Sequence, residues 1–462
     1  MMLARLLAFL FLGAAFAPAA HAIAIQQVTS PGGITAWLVE DHSLPIVTIN
    51  LAFRGGAALD PDAKAGLADL ATDLLDEGAG ELDSNAFHAK LEDMATSLSF
   101  AAGEDTIGAS MRTITANLDA SFDLLRLSLT APRFDADAVA RVKRQVLASI
   151  AHDEHQPRSV ANRLWRKAEF GDHPYARRLR GTAETIGRID AEDLHNFVRE
   201  RFAKDVLIVG VVGDIAPDPL KALLDKTFGG LPAHAAPGTV PPLQVDPKGE
   251  LLLARLDVPQ SVVVFGQPGI KRDDPDWYAA LLVNDILGGG GFSARLTREV
   301  REKRGLAYSV YSALDPFQAG GAIIGSVGTE NARVAQSIDL IRAEWKRMRD
   351  EGPTAKELAD AKTYLTGSFP LSLDSTGRIA AVLVVLQRDR LGIDYLARRN
   401  ALIDGVSLAD AKRVARRLLD PAALTFVVVG APPDLPGAQL VDAGGSGARA
   451  ASPRLPGARP QP

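Results

Sequence analysis

Two blocks of the 462-residue chain repeat each other in the same order. IDAEDLHNFVRERFAKDVLIVGVVGD (189–214) aligns with VSLADAKRVARRLLDPAALTFVVVGAP (406–432) at a constant offset of 217, which sets Asp193 against Asp410 and Gly213 against Gly430. Upstream, FDADAVARVKRQVL (134–147) matches PTAKELADAKTYL (353–365) at an offset of 219, with Val139 opposite Leu358 and Lys143 opposite Lys362. Matched blocks in one order mean a duplicated unit of roughly 200 residues. Each half must therefore adopt the same fold, and the chain is too long for one core, since single cores stop growing near roughly 250–300 residues.

Within each half the repeated block reads as an amphipathic helix running into a buried strand, VLIVGVV and LTFVVVG. Stretches such as ITAWLVE and IVTINLAFRGG alternate like further strands. The predicted class is α+β, two homologous domains of mixed β-sheet with helices packed against them. Residues 228–249, FGGLPAHAAPGTVPPLQVDPKG, lack periodicity and are rich in Pro and Gly. This places an N-terminal domain at 23–230, a linker at 231–249 and a C-terminal domain at 250–434. The tail, 435–462, ends in AGGSGARAASPRLPGARPQP and is predicted to be disordered.

MMLARLLAFLFLGAAFAPAAHA, residues 1–22, has Arg5 before an apolar run and a small-x-small end at Ala20-His21-Ala22. It reads as a secretory signal peptide with cleavage near Ala22, giving an exported, periplasmic chain. No later segment is apolar over the roughly 20 residues of a membrane span. The sequence contains no cysteine, which excludes disulfides, thiol catalysis and Cys-ligated zinc. A net charge of -5 argues against nucleic acid as a partner.

GLADLATDLLDEG, residues 66–78, carries Leu67, Leu70, Leu74 and Leu75 on one helical stripe, with Asp69 and Asp73 one turn apart on another. A helix is expected there, its two carboxylates forming an exposed, solvated face. Together with the preceding RGGAALDPDAKA, this stretch resembles the first active-site segment of the pitrilysin-like or insulinase-like metallopeptidases, family M16, which includes the mitochondrial processing peptidase. The resemblance extends from about Thr29 to Pro432 and implies the duplicated LuxS/MPP-like metallohydrolase fold. Active members carry His-x-x-Glu-His here, two zinc ligands and the base that activates water. The corresponding positions in this chain are Asp69, Thr72 and Asp73, and the third ligand position, a glutamate in the family, falls at Ser149. No histidine in residues 23–462 begins a His-x-x-Glu-His or His-Glu-x-x-His pattern. No metal is therefore expected in this chain.

The second half resembles the family more fully. NDILGGGGFSARLTREVREKRGLAYSVYSAL (284–314) has the glycine turn, arginine helix and Gly-x-Tyr strand of the second M16 signature. The resemblance implies that Arg301 and Tyr308, seven apart, bind substrate or stabilise an oxyanion, and that Gly288, Gly289, Gly290 and Gly291 let a peptide backbone approach. Taken alone, Arg295, Arg298, Arg301, Lys303 and Arg304 read as a basic run solvating a surface helix, with Tyr308 packed in a strand.

The resemblance implies a non-catalytic subunit of a heterodimeric zinc peptidase. Its partner is expected to be a homologous chain that keeps His-x-x-Glu-His and the zinc, and its substrates unfolded peptides. The alternative is a non-proteolytic peptide-binding or scaffold protein.

Overall fold

The computed structural model describes residues 23–444, so the expected signal peptide and residues 445–462 of the expected tail lie outside the described residues. The first half contains β1 (Gln26–Thr29), β2 (Thr35–Glu40), β3 (Ile46–Arg54), the short hairpin β4 and β5 (Gly78–Ala79, Leu82–Asp83), β6 (Ser97–Ala102), β7 (Thr106–Ile114) and β8 (Leu207–Gly213). The second contains β9 (Leu251–Arg255), β10 (Gln260–Pro268), β11 (Ala307–Pro316), β12 (Gly321–Glu330), β13 (Thr425–Gly430) and β14 (Gln439–Leu440).

Each half forms a six-stranded mixed sheet, ordered β1-β2-β8-β3-β7-β6 in one and β14-β9-β13-β10-β12-β11 in the other. The five correspondences from β2 and β9 through to β6 and β11 keep their directions as well. β8 is parallel to β2 and antiparallel to β3, as β13 is to β9 and β10. The repeat is equally exact in side chains. Asp193 closes a capping box on Asp190 at the start of the helix Ala191–Arg201, and Asp410 closes one on Ser407 at the start of Leu408–Leu418. Lys143 donates to Ile189 O at 2.6 Å and Lys362 to Asp404 O at 2.7 Å, so the paired lysines tie the same junction in both halves.

Only one edge breaks the symmetry, because β1 enters from the N-terminus, antiparallel to β2, and β14 from the C-terminus, parallel to β9. The second of these corrects the tail boundary. Residues 439–440 pair in parallel with β9, and Val441 N donates to Leu253 O at 3.0 Å, so ordered pairing reaches into the expected tail at least as far as Val441. The expected linker contains no regular element and runs over both halves, with Ala236 N on Glu200 O at 2.8 Å and Leu243 N on Ala319 O at 2.8 Å.

β13 is buried at every position and β8 at all but its first, as continuous apolar strands require when both sheet faces are covered. One face carries helices of the same half. The other face receives a helix from the opposite half. Helix Pro157–Phe170 of the first half sets Val160, Ala161, Trp165 and Phe170 against Leu252, Val264, Val427 and Val429. Its counterpart Thr376–Arg388 sets Ala380, Leu383 and Leu386 against Trp37, Val39 and Val212. Gln387 Nε2 donates to Val209 O at 2.9 Å, and Arg54 donates to the carbonyls of Arg388 and Gln387 at 2.8 and 2.9 Å.

Glu169 lies at this crossing, 6% exposed, with Oε1 lacking any hydrogen-bond partner. Burial raises its carboxyl to about 7 from an ordinary 4.5, and the Thr425 hydroxyl offsets only part of the rise. The folded chain then holds a proton that the unfolded chain has released, so this group's destabilising effect grows as pH rises from about 4.5 to 7. Glu169→Gln is expected to stabilise the protein at pH 8 by on the order of 2–3 kcal/mol and to leave it little changed at pH 4.5. Urea unfolding at the two pH values measures this.

Candidate functional site

The segment resembling a zinc helix begins at Gly66, whose φ of +94° only glycine adopts without strain, and is α-helical only over Leu67–Thr72. The predicted helix to residue 78 is replaced by tight turns, with Leu74 N on Ala71 O at 3.1 Å and Leu75 N on Thr72 O at 3.4 Å. The turns still bury Leu67, Leu70, Leu74 and Leu75 together.

Asp73 is exposed, as expected. Asp69 is not: it is 9% exposed, and its Oδ2 accepts no hydrogen bond. The expected solvated face is corrected accordingly, because the short helix is packed into the domain and takes Asp69 with it. Burial and then the Asp73 charge raise the Asp69 carboxyl to about 6, against a lowering influence from Arg180. Thr72 is buried, and its hydroxyl turns back to donate to Asp69 O at 2.8 Å. Ser149, on helix Ala136–Asp153, accepts a 2.6 Å bond from Arg180 Nη1, whose Nε lies 3.5 Å from Asp69 Oδ2.

Zinc chemistry has no footing here. A catalytic site needs three nitrogen, thiolate or carboxylate ligands. Among the described residues no group of three or more His, Asp or Glu side chains is placed to hold a metal ion. A threonine hydroxyl committed to its own helix cannot act as the base.

In the second half the glycine run continues a wide π-type turn at Asp285–Gly289, and a second such turn spans Thr297–Glu302. Gly288 is pressed against β11, where a Cβ would come within 2.6 Å of Ser312 N. Asn284 clasps the same strand, donating to Ser312 O at 3.1 Å and accepting from Ser312 Oγ at 2.8 Å. Gly290 is also buried, whereas Gly289 and Gly291 are exposed.

The basic run does not form a solvated face. Arg295 is buried and binds both oxygens of Glu357 at 2.7 and 2.6 Å. Lys303 and Arg304 converge on Glu299 at 2.7 and 2.8 Å, with Arg298 at 3.6 Å, and hold that carboxyl down to about 2. Arg301 alone of the five has no carboxylate within ion-pair distance among the described residues. Its guanidinium carbon lies instead 4.9 Å from the Phe292 ring centre and 5.4 Å from that of Tyr308.

Tyr308 does not pack in the strand either. Ala307 pairs with Thr329 and Ser309 with Gly328, so Tyr308 is the extra residue of a β-bulge, which turns its ring outward to 83% exposure. Phe292, 69% exposed, was missed by reasoning on the Arg–Tyr spacing, although an aromatic directly after four glycines is a visible signal. Two aromatic rings thus flank an unpaired guanidinium beside β11, an outermost strand of its sheet. Cation–π contact steadies such a group while leaving its donors free for a carbonyl or carboxylate. No hydrogen bond or ion pair among the described residues links Arg301 or Tyr308 to the Asp69–Ser149 group.

Residues 36–183 match the family described as insulinase (peptidase family M16), and residues 188–365 match the family described as peptidase M16 inactive domain. The chain is 30% identical over 367 residues to the Helicobacter pylori "non-peptidase homolog YmxG", covering 79% of this chain and 84% of that one. It is 29% identical to an "uncharacterized zinc protease" of Mycobacterium tuberculosis, covering 87% and 92%. In structure it is similar to a peptidase M16 inactive domain from Pseudomonas fluorescens, with a TM-score of 0.84, 29% identity, and coverage of 91% of this chain and 100% of that one. A Helicobacter pylori protease shares the fold at TM-score 0.79 and 18% identity. With both halves matched and the zinc residues replaced, the chain belongs to peptidase family M16 as a member lacking the catalytic metal set.

Proposed function

We propose that this chain is the non-catalytic subunit of an exported heterodimeric zinc peptidase, and that it supplies Arg301 and Tyr308 to a homologous, zinc-bearing partner. The observation that carries this reading is the free guanidinium of Arg301, held between Phe292 and an outward-turned Tyr308 while every other cation of its run is paired. The N-terminal sequence supports export to the periplasm.

Zinc in the partner would supply the activated water. In this chain Arg301 orients the peptide through its carbonyl or carboxylate oxygens, Tyr308 donates to the charge developing on the attacked carbonyl oxygen, and Gly289 and Gly291 leave the turn open to an extended backbone. Unfolded peptides suit such a surface because they present free backbone groups for pairing along a strand edge.

The test mixes the purified chain with an M16 chain from the same genome that keeps His-x-x-Glu-His. Hydrolysis of an unfolded peptide by the mixture, absent from this chain alone, is the expected result. Peptide binding without hydrolysis in every mixture would instead favour the non-proteolytic peptide-binding or scaffold role.

A further inference from the structure

The loop that carries Arg180 is fixed against the degenerate helix. Arg180 O approaches Gly66 so closely that a Cβ there would come within 2.6 Å of it, and Gly181 sits against Ala65 with φ at +69°. Thr185 Oγ1, part of a capping box with Thr182, donates to Ala65 O at 2.7 Å. These contacts deliver the guanidinium to two of the three positions that hold zinc in active relatives: Nη1 to Ser149 Oγ at 2.6 Å, and Nε to within 3.5 Å of Asp69 Oδ2. The charge of Arg180 also acts on the third position, Asp73. Asp69 Oδ2 is buried with no hydrogen-bond donor, and the ion pair with Arg180 is the only one it makes among the described residues.

We propose that the guanidinium of Arg180 stands in for the metal ion: an internal cation that holds together what remains of the ligand cluster and keeps divalent cations out. The chemistry accounts for the residue exchange at Ser149. A catalytic zinc takes a nitrogen, thiolate or carboxylate as its third ligand, whereas a guanidinium needs only an acceptor, and a hydroxyl provides one. This inference goes beyond the proposed function and requires no partner chain, so either can fail without the other.

The test compares wild type, Arg180→Met, Arg180→Lys and the double variant Arg180→Met/Asp69→Asn, by thermal unfolding and by electron paramagnetic resonance titration with Mn²⁺ alone. Arg180→Met is expected to lower Tm by about 2–4 °C, and adding Asp69→Asn should recover most of the loss, because the stranded carboxylate is then gone. Arg180→Met should also take up one Mn²⁺ with a Kd on the order of 10⁻⁴–10⁻³ M, lost again in the double variant. Wild type and Arg180→Lys should take up none. Strictly additive effects of the two substitutions on Tm would overturn the proposal. So would Mn²⁺ uptake by wild type, and so would coupling in Tm without uptake by Arg180→Met, since Arg180 would then not be what excludes the ion.

Discussion

Replacing Arg301 by alanine, or Tyr308 by phenylalanine, is expected to lower peptide turnover by the reconstituted pair about 100-fold, the usual loss when one donor to a developing oxyanion is removed. The two changes should differ in kind. Arg301→Ala removes the group proposed to orient the substrate, so KM should rise as kcat falls. Tyr308→Phe removes only the hydroxyl proposed to donate as charge develops, so kcat should carry the loss. Neither change should disturb folding or association, because Arg301 makes no ion pair among the described residues and Tyr308 is 83% exposed. Phe292→Ala should cost less than Arg301→Ala, because it loosens the guanidinium without deleting it. Steady-state kinetics of mixed subunits, with assembly followed by size exclusion, reads all three.

Arg295→Ala, six residues before Arg301, is expected to act in the opposite way: to destabilise the fold by about 3–5 kcal/mol, the range for breaking a buried ion pair from one side. Arg295 binds both oxygens of Glu357 and the carbonyl of Gly352 at 3.1 Å. Glu357 also closes the capping box of helix Ala355–Ser368 on Thr354. Removing the guanidinium strands a carboxylate that these contacts hold down at about 2, against an ordinary 4.5. The stabilisation is present above the ordinary value and is lost as pH falls towards 2, so the variant's deficit should be full at pH 7 and shrink in acid. Urea unfolding at pH 7 and pH 3.5 checks both the size and the sign.

These two arginines show where reading from sequence reaches its end. The duplication, the central strands and both signature segments are written in local order, because apolar periodicity and capping residues act within a few positions of one another. Glu299 settles Arg298, Lys303 and Arg304 within five positions, but the fate of Arg295 in the same run is not local. Arg295 is decided by Glu357, some sixty positions later, and Arg180 meets Asp69 from a loop more than a hundred positions away. The bulge that turns Tyr308 outward depends on the register of β11 on β12, which alternation in β11 alone does not specify. Likewise β14 falls within a stretch whose composition signals disorder, because two residues added to a waiting edge need little hydrophobic content.

The exchange of helices between the halves bears on how the chain can be made. Synthesis runs from the N-terminus, and β8 completes the first sheet at Gly213, yet the helix that covers the outer face of that sheet begins only at Thr376. At about 5–20 residues per second, the ribosome leaves Trp37, Val39 and Val212 uncovered for on the order of ten seconds or more. Helix Pro157–Phe170 waits in its turn for a second sheet that does not yet exist. Neither half reaches its final packing before the other, so the nascent chain passes through a stage with an apolar face in search of cover. A folding helper, or retention in an unfolded form until the whole chain is available, would serve such a molecule better than domain-by-domain folding.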